Sequence, residues 1–293
     1  KILKRTPKPD GAIFCVAFGQ TIPLLDVSEK LEIPVFIQGP LFQSELEQIG
    51  GRPRKKYKSW IGYFYDNEEK KSAILAKTLI ADATGNKAFA SDGTLHVIGI
   101  GGDRTWFGSA LREKGLRHAA GRIPSVILHQ VVPTMWSPAE ARAKATVLMK
   151  RYPETSVIWA ASDQLAVGAS AAAVKSGKTP GRNVFIGGVD LSPEGLQAVQ
   201  DGTIQATVSG LLTGYAEILV YLHDYIHGID FAKKKGIVIE SAVYSATRHN
   251  AAEFQSLYGS VDSINFKRFS RVYNSHARYD FSLQTLRKSI AEH

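Results

Sequence analysis

Short apolar runs alternate with helix-length stretches along most of this chain, and that alternation restricts the fold more than any other feature. Strand-like runs fall at 12–17, 34–38, 60–64, 95–100, 126–132, 157–161, 184–189 and 204–209. Helical stretches fall between them, with further helices expected at 2–5, 24–31, 213–227 and 282–292. Strands separated by helices argue for a parallel sheet covered on its faces by helices. Local stop and start signals agree. Ser137-Pro138-Ala139-Glu140 combines a cap, a first-turn proline and an acidic residue, and Ser192-Pro193-Glu194 repeats the pattern. Asp66 with Glu69 reads as a capping box for a helix to about 81, and Gly177 as a left-handed stop for a helix from 163 to 176. The segment 40–59 reads as a polar, basic loop, 204–209 as the last strand, and the chain after 236 as less regular.

The run from 95 to 115, LHVIGIGGDRTWFGSALREKG, concentrates the most chemistry. A strand ends in Gly99, Gly101 and Gly102, which let a loop turn; the loop carries Trp106 and Phe107, and a helix follows with Arg112 three residues before Gly115. Ligands of open α/β sheets bind outside the carboxyl ends of strands, so this loop is a candidate site. It is not a dinucleotide cradle, because the third glycine of that fingerprint is replaced by Arg104. Gly177-Lys178-Thr179 lacks the earlier glycine of a phosphate loop, having Ala172 there. The chain has no GxSxG elbow and no HExxH. His223 and His227 share a helix face at i and i+4, without a carboxylate or third ligand beside them. No catalytic residue, metal or cofactor is assigned.

Composition narrows the partners. No apolar run approaches the ~18 residues of a membrane span. The single cysteine, Cys15, allows no intrachain disulfide; inside AIFCVAF it reads as a buried structural thiol. The net charge of +9 gathers at 1–8, 52–58 and 233–235. These clusters lie in different loops and no nucleic-acid motif accompanies them, so they read as solvated surface and no nucleic acid is assigned.

Five stretches, in this order, resemble the type I periplasmic binding proteins, the sugar receptors of ABC importers, and the related effector domains of LacI-type repressors. They are DNEEKKSAILAKTLI at 66–80, VIGIGGDR with Arg112 to Gly115, EARAKATVLMKRYP at 140–153, VIWAASDQLAVGASAAAVKSG at 157–177 and VFIGGVDLSPEGLQAVQDGTIQATVSG at 184–210. The resemblance implies an α/β fold of two similar lobes of parallel sheet covered by helices, with a ligand cleft between them. Residues 1–65 would form an N-terminal lobe lacking the first strand, helix and strand of the family pattern, and 66–209 the C-terminal lobe. Residues 210–240 would return to the N-terminal lobe, and 241–293 would be a crossover and extension packing on the lobes.

The resemblance also assigns ligand positions. Arg112, in an R-x-x-G pattern, would donate a fork of hydrogen bonds to ligand oxygens; the alternative is an arginine paired to a nearby acid. Trp136 would stack on a sugar ring, and Asp190 would accept from hydroxyls or else cap the Ser192 helix. Gln38 stands where the family usually has Asp or Asn, and Ser162 where it usually has Asn; Asp163 reads as a helix cap. Gly210 replaces a polar residue, and Trp106 or Phe107 would line the cleft or pack the loop. The implied function is a non-enzymatic periplasmic receptor for a sugar or similar polyhydroxylated molecule. Its partners would be ABC importer membrane subunits or a membrane sensor. The alternative is a LacI-type effector domain without its DNA-binding head.

Overall fold

The computed structural model describes residues 3, 7–16, 19–210 and 213–291. The short helix expected at 2–5 falls, apart from Leu3, outside the described residues. The chain divides into two compact units. The first comprises 1–67, 213–242 and 260–293, and the second 68–212 and 243–259.

The first unit begins with β1 (Ala12–Cys15), α1 (Thr21–Leu31), β2 (Val35–Gln38), α2 (Gln43–Gln48) and β3 (Trp60–Tyr65). The second unit follows with α3 (Glu68–Gly85), β4 (Leu95–Gly101), α4 (Phe107–Ala120), β5 (Val126–Pro133), α5 (Pro138–Arg151) and β6 (Thr155–Ala160). It continues through α6 (Asp163–Lys175), β7 (Phe185–Val189), α7 (Pro193–Gln200) and β8 (Ala206–Ser209). The chain then returns to the first unit for α8 (Gly214–Ile226), α9 (Ala232–Lys235) and β9 (Val238–Glu240). It re-enters the second unit for β10 (Tyr244–Thr247) and α10 (Ala251–Gly259), and closes in the first with α11 (Leu283–Ala291). Residues 204–209 therefore do not hold the last strand, and 243–259 belong to the second unit.

The first sheet is parallel throughout, in the order β1-β2-β3-β9. The second has the order β10-β8-β7-β6-β4-β5, parallel except for the edge strand β10, which runs against β8. The central strands read as continuous apolar runs because both faces are covered. All six residues of β6 and all five of β7 are buried, as expected of strands sandwiched between helices. In β7 the space is set by glycines: a Cβ at Gly187 would meet Leu75 of α3 on one face, and one at Gly188 would meet Asp163 of α6 on the other.

Two helix pairs close on glycine. A Cβ at Gly115 of α4 would lie 2.2 Å from the backbone oxygen of Glu69 in α3, and one at Gly168 of α6 would lie 2.3 Å from that of Pro138 in α5. The glycine of the R-x-x-G pattern is thus a contact surface between helices. In the first unit α8 packs on the sheet through Tyr221, which contacts Phe36 of β2 and Phe231. The C-terminal segment is pinned to α8 at Asp224, which accepts bonds from the Ser270 hydroxyl, from Arg271 N at 2.6 Å and from the Tyr279 hydroxyl at 2.6 Å. Arg54 joins two of the basic clusters: its guanidinium binds Asp230 in bidentate fashion at 2.6 and 2.9 Å, three residues before Lys233.

Candidate functional site

In the second sheet the strand order reverses at β4, with β5 on one side and β6, β7 and β8 on the other. A reversal of this kind leaves a crevice outside the carboxyl ends of the strands. Five of the six residues singled out from the sequence sit on the loops or first two helical turns after those ends. Trp106 and Arg112 follow β4, Trp136 follows β5, Ser162 follows β6 and Asp190 follows β7.

Arg112 is the centre of the group, only 6% exposed. Its Nε donates to Glu68 Oε2 at 2.6 Å, and its Nη1 donates to the Ala161 carbonyl at 2.5 Å and to Asp190 Oδ1 at 3.1 Å. Among the described residues Nη2 has no hydrogen-bond partner. The guanidinium carbon lies 5.2 Å from the Trp106 ring centroid and 5.9 Å from that of Trp136, within cation–π range. The two indoles meet edge to face at 5.8 Å. Arg112 therefore pairs with acids, as one sequence reading of it expects, and keeps one donor edge open.

The glycines of this region do something other than turn the chain. Gly99, Gly101 and Gly102 are absent from the positions of positive φ. A Cβ at Gly102 would stand 2.1 Å from the Trp136 ring, and one at Gly108 2.2 Å from the Trp106 ring. They make room for the two indoles. Strained backbone lies at non-glycine residues instead: φ is 59° at Trp136, 136° at Asp190 and 53° at Leu191. Such conformations are uncommon for side-chain-bearing residues and cluster at binding sites whose surroundings enforce them.

Ser162, not Asp163, caps α6. Ser162 is the N-cap of α6, its Oγ accepting from Leu165 N at 3.3 Å. Asp163, 1% exposed, reaches across to the next helix, where its Oδ2 accepts from Ser192 N at 2.9 Å and Ser192 Oγ at 2.8 Å. Its Oδ1 has no partner among the described residues. Burial, together with the neighbouring Asp190 charge, pushes the Asp163 carboxyl up to about 7 despite the nearby Thr207 hydroxyl and the Ser192 bonds. Glu68 is the opposite case. Burial disfavours its charge, but Arg112 and Lys71 outweigh that and hold its carboxyl below the usual range.

Gln38 lies in the first unit, at the end of β2. Its Nε2 donates to Asp66 Oδ2 at 3.2 Å and its Oε1 accepts from the Tyr215 hydroxyl at 3.2 Å. That hydroxyl lies 3.4 Å from Cys15 Sγ, and Asp66 Oδ1 accepts from the Ser241 hydroxyl. These residues make a polar row across the carboxyl ends of β1, β2, β3 and β9, most of which sequence reasoning missed. Asp66 lies two residues before α3, which starts at Glu68. Cys15 is exposed, not buried, because β1 is the edge strand and its last residue points out. Nothing local marks Tyr215 or Ser241, which sit some 200 residues from Cys15 in the chain. His227 donates Nδ1 to the carbonyl of His223, and the two rings pack 4.2 Å apart.

The fold is that of a two-unit α/β protein with parallel sheets covered by helices. The chain belongs to the periplasmic binding protein domain family, whose model matches residues 63–226, more than half of its length. It is 29% identical over 143 residues to the ribose import binding protein of Salmonella typhimurium, covering 47% of this chain and 44% of that one. It is 31% identical over 98 residues to the D-allose-binding periplasmic protein of Escherichia coli, covering 33% and 31%. The matched stretch thus spans less than half the length of either relative. A periplasmic sugar-binding protein from Pseudomonas fluorescens superposes with a TM-score of 0.83 at 28% identity, covering 97% of this chain and 83% of that structure. A solute-binding protein from Actinobacillus succinogenes with bound D-allose shares the fold, with a TM-score of 0.68 at 20% identity over 83% of this chain and 78% of that structure. These relatives are binding proteins. Among the described residues no helix is long and apolar enough to cross a membrane.

Proposed function

We propose that the protein is a periplasmic, non-enzymatic receptor that binds an uncharged sugar or similar polyol and presents it to an ABC importer or a membrane sensor. The observation that carries this reading is the pair Arg112 and Asp190 at the reversal of the sheet, flanked by Trp106 and Trp136. A polyol needs donors and acceptors at once. Nη2 of Arg112 supplies donors, Asp190 supplies carboxylate lone pairs, and the indoles supply flat apolar surface for a ring's C–H face. The charges balance, with Arg112 and Lys71 facing Glu68 and Asp190, which favours a neutral ligand over a sugar acid or phosphate. A ligand that binds the closed form better than the open one shifts the population toward closure, the state a membrane partner would read.

The ribose- and allose-binding relatives direct the choice of test ligands. Isothermal titration against aldopentoses, aldohexoses, their furanose forms and inositols is expected to give saturable heat with at least one. Flat heats across that panel, with the protein folded by circular dichroism, would remove the proposal.

A further inference from the structure

Glu68, Lys71 and Arg112 are 3%, 2% and 6% exposed. Charged side chains almost never go this deep unless paired, because leaving water costs each of them more than a surface pair returns. Here one carboxylate serves both cations, one on each oxygen. Lys71 Nζ donates to Glu68 Oε1 at 2.9 Å, and Arg112 Nε donates to Oε2 at 2.6 Å. Glu68 also opens α3, where the unpaired amides of the first turn favour a negative charge. The same helix fixes the backbone of Arg112. Ser72 Oγ donates to the Arg112 carbonyl at 2.5 Å, and Gly115 lets α4 settle onto the Glu69 carbonyl. So α3 grips Arg112 by main chain and by side chain alike.

The grip determines which atoms stay open. With Nε on Glu68 and Nη1 shared between Ala161 and Asp190, the guanidinium cannot rotate, and Nη2 is left as its free edge. Asp190 gives one oxygen to Arg112, and its side chain keeps 44% exposure. Without Glu68, the Arg112 Nε–H would lose its buried acceptor and the guanidinium would be held through Nη1 alone. We propose that Glu68, with Lys71 as its counter-charge, is a positioning residue for ligand binding. It locks Arg112 in one rotation, so that Nη2 remains available. The pair touches no ligand itself. The part of this inference that concerns affinity rests on the proposed sugar-binding function; the part that concerns the locked guanidinium does not.

The test combines the double variant Glu68→Met/Lys71→Met, which removes one charge of each sign, with two readouts. One is titration with D-ribose and D-allose. The other is solvent exchange of the Arg112 Nε–H, followed by NMR on 15N-arginine-labelled protein. In the wild type that proton is expected to exchange about 100-fold more slowly than those of exposed arginines, as a buried, bonded group should. In the double variant the protection is lost and sugar binding weakens about tenfold or more, the size expected for losing a charge-assisted bond. If the double variant does not fold, Glu68→Gln keeps the shape, loses the charge, and is expected to move both readouts in the same direction. Wild-type affinity in a folded variant, or fast exchange of Arg112 Nε–H in the wild type, overturns the inference. If the wild type binds neither sugar but protects the proton and loses that protection on substitution, the positioning role stands and the choice of ligand falls.

Discussion

Asp190 combines a φ of 136° with a side chain that is 44% exposed and bonded through one oxygen to Arg112. Replacing it by Asn keeps the shape and tolerates the backbone, since Asn is among the residues that accept positive φ. It removes the charge that faces the ligand. Asp190→Asn is expected to fold normally and to lower sugar affinity about 10- to 100-fold, the range for a hydrogen bond to a charged group; titration calorimetry on the folded variant measures it. Cys15 offers a second reading at this scale. Its thiol is exposed and 3.4 Å from the Tyr215 hydroxyl, in the polar row that includes Gln38 and Asp66. If the row takes part in binding, a saturating sugar slows alkylation of Cys15 by iodoacetamide several-fold, as followed by intact mass. An unchanged rate would show that ligand does not cover the row.

Between elements, contacts are close enough for single atoms to decide stability. Gly115→Ala puts a methyl 2.2 Å from a backbone oxygen that belongs to a paired helix and cannot step aside. Overpacking of this kind costs about 1–3 kcal/mol. Gly85, at the end of α3 with nothing near its Cβ position and no positive φ, is the control. Gly85→Ala is expected to gain about 0.4–1 kcal/mol through the unfolded state, and urea unfolding of the two variants should show shifts of opposite sign. Asp163 links α6 to α7, and its carboxyl has been pushed from 3.8 to about 7. Between those values the folded protein holds a proton that the unfolded chain has released. Stability from this group is therefore full below about pH 4, falls as pH rises toward 7, and is flat above. The loss is on the order of 4 kcal/mol at most. Asp163→Asn, which cannot ionise, is expected to gain stability relative to the wild type as pH rises from 4 to 7, read by denaturant midpoints at each pH.

For the whole molecule, a ligand that binds only the folded state stabilises it by mass action. At 100 times its dissociation constant, the gain is about 2.7 kcal/mol. For a chain of this length that raises the thermal midpoint on the order of 5 °C. A sugar from the titration panel is expected to do this, measured by scanning calorimetry. The corresponding sugar phosphate is expected to leave the midpoint unmoved. The two cations of the site, Arg112 and Lys71, are already matched by Glu68 and Asp190, and a further anion would crowd Asp190.

The sequence by itself determined the alternation of strand and helix, the caps at Ser137 and Ser192 and the stop at Gly177, because each depends on residues within a few positions of one another. The resemblance to the binding-protein family pointed to Arg112, Trp136 and Asp190, and in the fold each follows a strand of the second sheet. Tertiary structure decided what spacing cannot express. The antiparallel strand β10 depends on which edge was free, and the exposure of Cys15 on β1 lying at a sheet margin. Whether Ser162 or Asp163 caps its helix depended on Ser192, brought alongside by a later loop. Above all, the run from Leu95 to Gly115 contains Arg112 but not what makes it useful. Glu68 and Lys71 from one helix, and Asp190 from a loop 78 residues on, fix its direction, and long-range charge pairing of that kind forms only in the folded chain.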